Sequence, residues 1–126
     1  MILITTDTID PREAYALIAK KSSGSVLLHY AVVRKMEGPD GLTCHIDYSM
    51  VGDCEDELQM ISGDIAASWK IEDLLLIRRI GRVGVGEIIS LVAVSSSSSE
   101  DAFAACKTGL ARLKKMRSIV KNEVCG

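Results

Sequence analysis

The sequence predicts an α+β domain, and three observations carry that expectation. Apolar residues recur with the helical period in about three segments. The apolar runs between them are short and bounded by Gly, Pro, Ser or Asp. Two pairs of these runs are joined closely enough to be antiparallel hairpins rather than parallel strands with helical crossovers. The chain has 126 residues, enough to bury a real core, and residues 1–126 read as one domain.

Residues 1–5 are apolar enough for a first strand. Asp10-Pro11-Arg12-Glu13 then supplies an N-cap, a proline at the first helical position and a capping glutamate. A helix follows to about residue 21, burying Ala14, Leu17, Ile18 and Tyr15, and Ser22-Ser23-Gly24 ends it. Residues 25–33 are a near-continuous apolar run closed by Arg34-Lys35, the pattern of a central strand. Gly38-Pro39-Asp40-Gly41 is a turn, and residues 42–48 alternate as the returning strand of a hairpin with Arg34 near its tip.

Asp53 caps a second helix whose buried face is Cys54, Leu58, Ile61, Ile65 and Trp69. Glu55, Asp56 and Glu57 fill its first turn, where the helix dipole favours carboxylates, so this acidic cluster reads as a helix start rather than a metal site. Residues 74–80 form a buried strand, 81–86 a glycine-spaced connection, and 87–94 a strand paired antiparallel with the first. Gly81-x-x-Gly84-x-Gly86 has neither the order nor the Lys-Ser/Thr ending of a nucleotide loop. Ser98 or Ser99 caps the last helix, which presents Phe103, Cys106, Leu110 and Leu113 on one face, with Ala102 and Gly109 permitting close approach, and ends near Met116. Ile119-Val120 is a final short strand. Its open edge suggests pairing with a second copy of the chain.

A formal net charge of -2, with 25% charged and 48% apolar residues, argues against a general nucleic-acid or anionic-membrane binder and confines any anion site to a local cluster. No apolar run approaches a bilayer span and the N-terminus lacks a secretion signal, so a cytoplasmic protein is expected. The four cysteines, Cys44, Cys54, Cys106 and Cys125, include no C-x-x-C pair and have no histidine at zinc spacing, so neither a metal nor another cofactor is expected. Cys106 reads as a small core residue and Cys125 as an exposed one near the C-terminus.

The local cluster is Arg112-Leu113-Lys114-Lys115-Met116-Arg117 followed by Ile119-Val120-Lys121. Lys114 and Lys121 are seven residues apart, and a chain that turns back between them brings both ammonium groups to one anion. The plainer alternative is that these cations only complement the dipole of the helix end.

Taken together, four stretches resemble the large, catalytic subunit of molybdopterin synthase, the MoaE family. Gly24-Ser25 with Val33-Arg34 is similar to the family's G-A-x-x-x-F-x-G-x-V-R strand, and Arg78-Arg79-Ile80-Gly81 with Val85-Gly86-Glu87 to its H-R-x-G-x-x-x-x-G-(D/E) hairpin. Residues 92–106 follow V-x-V-x-(S/A)-x-H-R-x-x-A-F-x-A, and Leu113-Lys114 with residues 119–123 follow L-K-x-x-x-P-(I/F)-W-K-K-E. The resemblance covers nearly the whole chain. It implies an α/β hammerhead and a sulfurtransferase that converts cyclic pyranopterin monophosphate to molybdopterin. The sulfur comes from the C-terminal thiocarboxylate of a small ubiquitin-like subunit of the MoaD type. It also implies a central homodimer within a heterotetramer.

By position, the resemblance makes Lys114 and Lys121 the catalytic lysines and Arg34 the strand-end arginine of the substrate pocket, with further substrate contacts at His29, Arg79, Ser98 and Ser99. Cations suit this chemistry because the cyclic phosphate and the thiocarboxylate are both anionic. Several positions depart from the family pattern. Ser98-Ser99 stands in place of a His-Arg pair, His29 in place of Phe, Ala31 in place of Gly, and Arg78 in place of the hairpin His. Ser118 and Val120 stand in place of Pro and Trp. Two serines cannot supply a guanidinium charge. The departures frame an alternative, a non-catalytic dimeric binding or regulatory protein that keeps the groove for a ubiquitin-like tail.

Overall fold

The computed structural model describes residues 1–35, 37, 38, 41, 42 and 45–124. The expected turn residues Pro39 and Asp40, and Cys44 and Cys125, lie outside them. The order is β1 (Ile2–Thr5), α1 (Pro11–Leu17), β2 (Ser25–Val32), β3 (Glu37–Gly38), β4 (Gly41–Leu42), β5 (His45–Met50), α2 (Cys54–Ser68), β6 (Asp73–Arg79), β7 (Gly81–Gly84), β8 (Ile88–Ser96), α3 (Ser99–Lys114) and β9 (Ile119–Val124). This is the α+β class that the sequence predicts.

The apolar runs of β6 and β8 have no alternation because both faces are covered. Leu74, Leu76, Val92 and Val94 point to one side, into the core shared with α2 and α3. Leu75, Ile77, Leu91 and Ala93 point to the other, where Ile9, Ala14 and Ile18 cover them. These two strands pair antiparallel, as expected, at the centre of a four-stranded sheet ordered β1-β6-β8-β2. A second sheet, β7-β5-β9, is antiparallel and contributes Ile46, Tyr48, Val83 and Ile119 to the first core.

Several expectations are corrected. β2 lies at the sheet edge, paired only with β8, so it is not central. β5 does not return beside β2; it joins β7 and β9, because Ile46 and Tyr48 are buried by the second sheet's packing on the first. The glycine-spaced connection contains a strand, β7, with Gly81 and Gly86 at φ 87° and 84° bracketing it, a conformation open to glycine at little cost.

The first helix stops at Leu17 rather than near residue 21, since Ile18 turns extended and the backbone beyond it bonds elsewhere. Ala19 N–H donates to Asp73 Oδ2 at 2.8 Å, and Ala19 C=O accepts from Ser95 Oγ at 2.5 Å. Leu17 and Tyr15 are consequently exposed.

Asp53 and Ser98 cap α2 and α3 as read from the sequence, accepting from Asp56 N and Asp101 N. The buried stripe of α3 is Ala102, Ala105, Cys106, Gly109 and Leu113; it keeps the expected Ala102, Cys106, Gly109 and Leu113, but leaves Leu110 half-buried and Phe103 65% exposed. Gly109 sets that choice. A Cβ there would lie 3.0 and 3.2 Å from the methyls of Val92 and 3.5 Å from Ile65 Cδ1, so α3 sits on β8 and α2 with no room for a side chain. Gly109→Val is expected to destabilise the fold by about 1–3 kcal/mol through overpacking, read as a lower urea midpoint at unchanged m-value.

Candidate active site

The alternation of β9 and its register on β5 decide which side chains share a face. Lys121 lies directly opposite Tyr48, and Glu123 opposite Ile46. Opposed residues of an antiparallel pair project to the same side, so Lys121 and Tyr48 reach one cavity between the two sheets. That cavity, of about 810 Å³, is lined by His29 and Arg34 from β2 and the residues after it, Tyr48 from β5, Arg78 from β6, Lys114 at the end of α3, and Lys121 and Glu123 from β9. Its apolar lining includes the buried Val33, Ile46, Leu113 and Met116. Lys114 and Lys121 therefore meet in one pocket, together with Arg34 and His29.

Three sets of contacts hold the cations in place. Between Lys114 and Lys121 the chain is pinned by Glu57, the last of the acidic residues in the first turn of α2. Glu57 accepts from Arg117 N and Ser118 N at 2.9 Å each, and from the Ser118 hydroxyl. Ser118 C=O in turn accepts Val51 N–H at 2.7 Å. Where the family pattern has a proline, this chain holds the turn by hydrogen bonds. Arg34 is placed by Val33, whose N–H donates to Glu87 O at 3.0 Å and whose C=O accepts Gly86 N–H at 2.7 Å. Glu87 is itself fixed by Gly84 N–H at 2.6 Å and by Arg79 Nη1 at 3.1 Å. Finally, Arg112 Nη1 reaches Asp64 Oδ2 at 3.0 Å, tying the last turn of α3 to α2.

Arg79, Ser98 and Ser99, expected at the substrate, are not brought to this pocket. Neighbours on a strand face opposite ways. Arg79 follows Leu75 and Ile77 to the other side and pairs with Glu87 and Arg82 O, while Arg78 follows Leu74 and Leu76 into the pocket. Strand alternation would have found Arg78 from the sequence. Ser98 is the cap of α3 and Ser99 Oγ bonds Ser25 Oγ, at the far end of a 16-residue helix from Lys114. At 1.5 Å per residue that separation is about 24 Å.

The pocket holds four cationic side chains, Arg34, Arg78, Lys114 and Lys121, against one carboxylate, Glu123, whose Oε1 is 3.7 Å from Lys121 Nζ. Arg78 stacks its guanidinium 4.4 Å from the Tyr48 ring centroid. Burial pushes the Tyr48 phenol up, against the opposing pull of the Arg78 charge, so it remains a neutral donor at neutral pH. Burial lowers Arg78 from its ordinary value, yet a guanidinium stays charged under any physiological condition. Among the described residues no cluster of three or more His, Cys, Asp or Glu side chains is placed to hold a metal. Four cations around one cavity are the arrangement that chemistry on a small anion requires, since they can offset negative charge that develops on it.

Fold and pocket together define an α+β protein with a cation-lined anion cavity at the meeting of two sheets. Residues 4–116 match the family model described as MoaE protein, and the chain belongs to the MoaE family. It is 28% identical over 123 residues to the molybdopterin synthase catalytic subunit of Staphylococcus carnosus, covering 96% of this chain and 81% of that one. It is 30% identical over 123 residues to the subunit of the same name from a Nostoc species, covering 95% and 73%. Molybdopterin synthase from Staphylococcus aureus shares the fold with a TM-score of 0.87 at 24% identity, over 96% of this chain and 88% of that one. The complex of subunits 1 and 2 of molybdopterin-converting factor from Helicobacter pylori contains a chain of the same fold, with a TM-score of 0.74 at 15% identity, over 97% and 83%.

The Glu57 contacts generate a test. Burial alone would raise this carboxyl, but the bonds from Ser118 Oγ, Arg117 N and Ser118 N outweigh it and hold the group below its ordinary value. A carboxylate depressed in the folded state stabilises fully above its unfolded range, and that stabilisation is lost as pH falls through the lowered native value. Glu57→Ala is expected to cost about 1–3 kcal/mol at neutral pH by stranding two backbone donors. In chemical denaturation the gap between variant and parent should close on acidification; a gap independent of pH would contradict the assignment.

Proposed function

We propose that the chain is the catalytic subunit of a molybdopterin synthase, a sulfurtransferase of molybdenum cofactor biosynthesis. In this reading it moves sulfur from the C-terminal thiocarboxylate of a small ubiquitin-like subunit of the MoaD type to cyclic pyranopterin monophosphate. One observation supports it above the rest: Lys114, Lys121 and Arg34 share one pocket in a chain of the MoaE family. The unit is one MoaE-like domain over residues 1–126, acting in the cytoplasm as a homodimer within a heterotetramer.

Each pocket residue has a task under this reading. Arg34 and Lys121 at the rim attract the two anionic reactants, and Lys114 faces the charge that develops as the sulfur leaves the acyl carbon. His29 and the apolar wall receive the pterin. Ser98 and Ser99 cannot take part in their own chain's pocket, so any contact they make with substrate is in the pocket of a second copy. Because neither supplies the charge of the His-Arg pair that the family pattern carries there, a second reading retains support: a non-catalytic relative that binds the small subunit's tail.

A single-turnover assay with cyclic pyranopterin monophosphate and thiocarboxylated small subunit separates the two. Dithiolene product is expected, falling roughly 100- to 1,000-fold in Lys114→Ala, the usual cost of removing one donor from a developing oxyanion. Tail binding without product in the parent protein would favour the binding protein.

A further inference from the structure

Adjacent on β6 are two arginines buried to the same degree, 6% exposed at Arg78 and 7% at Arg79. Their charges are handled differently. Arg79 is neutralised by Glu87 at 3.1 Å and donates again to Arg82 O. Arg78 has no carboxylate within ion-pair distance among the described residues. It donates from Nη1 to Ile89 O at 3.2 Å and stacks on Tyr48; its Nε, like that of Arg79, is buried with no partner, so the missing carboxylate is what sets Arg78 apart. A buried guanidinium with no counter-charge is costly, and the Ile89 carbonyl and Tyr48 meet only part of that cost. The one open direction is the cavity, which Arg78 lines.

The register adds a second group. Arg78 lies directly opposite Ser90 on β8, and Ser90 opposite Ala31 on β2, so these three side chains form a row across the sheet facing the cavity. All three line it, and Ser90 is buried like Arg78. A guanidinium beside a hydroxyl, at the floor of a pocket whose rim carries Arg34, Lys114 and Lys121, suits a phosphoryl group better than a flat apolar ring.

We infer that Arg78, with Ser90 beside it, is a substrate-binding residue that receives the phosphate of the small-molecule substrate at the floor of the pocket. This rests on the pocket being an anion site, as in the proposed function. It has the rim cations attract both reactants, seats the phosphate at the floor, and leaves the rim to hold the small subunit's carboxyl-terminal tail once the phosphate is in place. A bound phosphate supplies the counter-charge that Arg78 lacks, so ligand-free protein carries a destabilising charge that the ligand relieves.

The test is phosphate titration of the parent protein and of Arg78→Met, Arg78→Lys and Ser90→Ala, using inorganic phosphate and pyrophosphate with calorimetry and thermal melting. Arg78→Met is expected to weaken phosphate binding about tenfold or more and to abolish the phosphate-induced rise in Tm, with Arg78→Lys and Ser90→Ala intermediate. The same Arg78→Met protein, without phosphate, is expected to melt no lower than its parent, since it removes an uncompensated charge. Arg79→Met is the contrast and should melt lower, because it removes the ion pair with Glu87 and the hydrogen bond to Arg82 O.

A parent protein indifferent to phosphate, or an Arg78→Met that melts lower with unchanged affinity, overturns the inference and makes Arg78 structural. Loss of tail affinity with phosphate affinity intact overturns it in favour of the tail. The proposed function is judged separately by product formation: an inactive parent whose phosphate site depends on Arg78 sinks the synthase reading and leaves this inference standing.

Discussion

Burial of β6 and β8 on both faces is the constraint from which the rest of the molecule takes its position. Each fully buried Leu, Ile or Val contributes about 1.5–3 kcal/mol, and these two strands supply nine core positions, counting Ala93, to two separate cores. With both faces covered, every residue on them has an assigned side. The side that carries Leu74, Leu76, Val92 and Val94 also receives the second sheet and α3, and where that packing ends, at Arg78 and Ser90, a cavity opens. The pocket is the place where the two sheets stop touching.

The charges follow from that geometry. A domain with a net charge of -2 gathers four cations around one cavity, and it holds them with contacts made outside the cavity. Glu57 fixes the turn between the two lysines, and Glu87 fixes the turn that bonds Val33 beside Arg34. Carboxylates that would neutralise the pocket if they pointed inward instead bind backbone and guanidinium groups behind it. Glu57 and Glu87 are both held below the ordinary carboxylate range by these partners: Glu57 against the effect of burial, Glu87 through the Gly84 N–H and then Arg79. The positive potential of the cavity comes from Arg34, Arg78, Lys114 and Lys121, while Glu57 and Glu87 order its walls without placing their charge inside it.

Much of the fold was legible in the sequence where a local signal was strong. Asp10-Pro11, Asp53 and Ser98 cap their helices as read, because a cap needs only a side-chain oxygen two or three residues before a free N–H. The apolar runs within β6 and β8 were legible because burial on both faces leaves no alternation to misread. The errors came where partners distant in sequence decided. The end of α1 was moved by Asp73 and Ser95, and the face of α3 by the fit of Gly109 against Val92. The partner of β5 was set by the second sheet. Arg78 and Arg79 differ in another way, since the period of two along a strand already puts them on opposite faces, and it is Arg78 that lines the cavity.

By itself the sequence determined the α+β class, the caps, the buried antiparallel pair of β6 and β8 and, through its resemblance to the MoaE family, the candidate lysines and Arg34. All of these depend on short-range periodicity or on motif order along the chain. Tertiary structure alone decided that Lys114, Lys121 and Arg34 share a cavity, that Ser98 and Ser99 stand a helix length away from it, and that Arg78 enters it without a counter-charge. Those facts depend on strand register, on the Glu57-held turn and on what surrounds a buried charge. Such relations join residues far apart in the chain, and no local pattern encodes them.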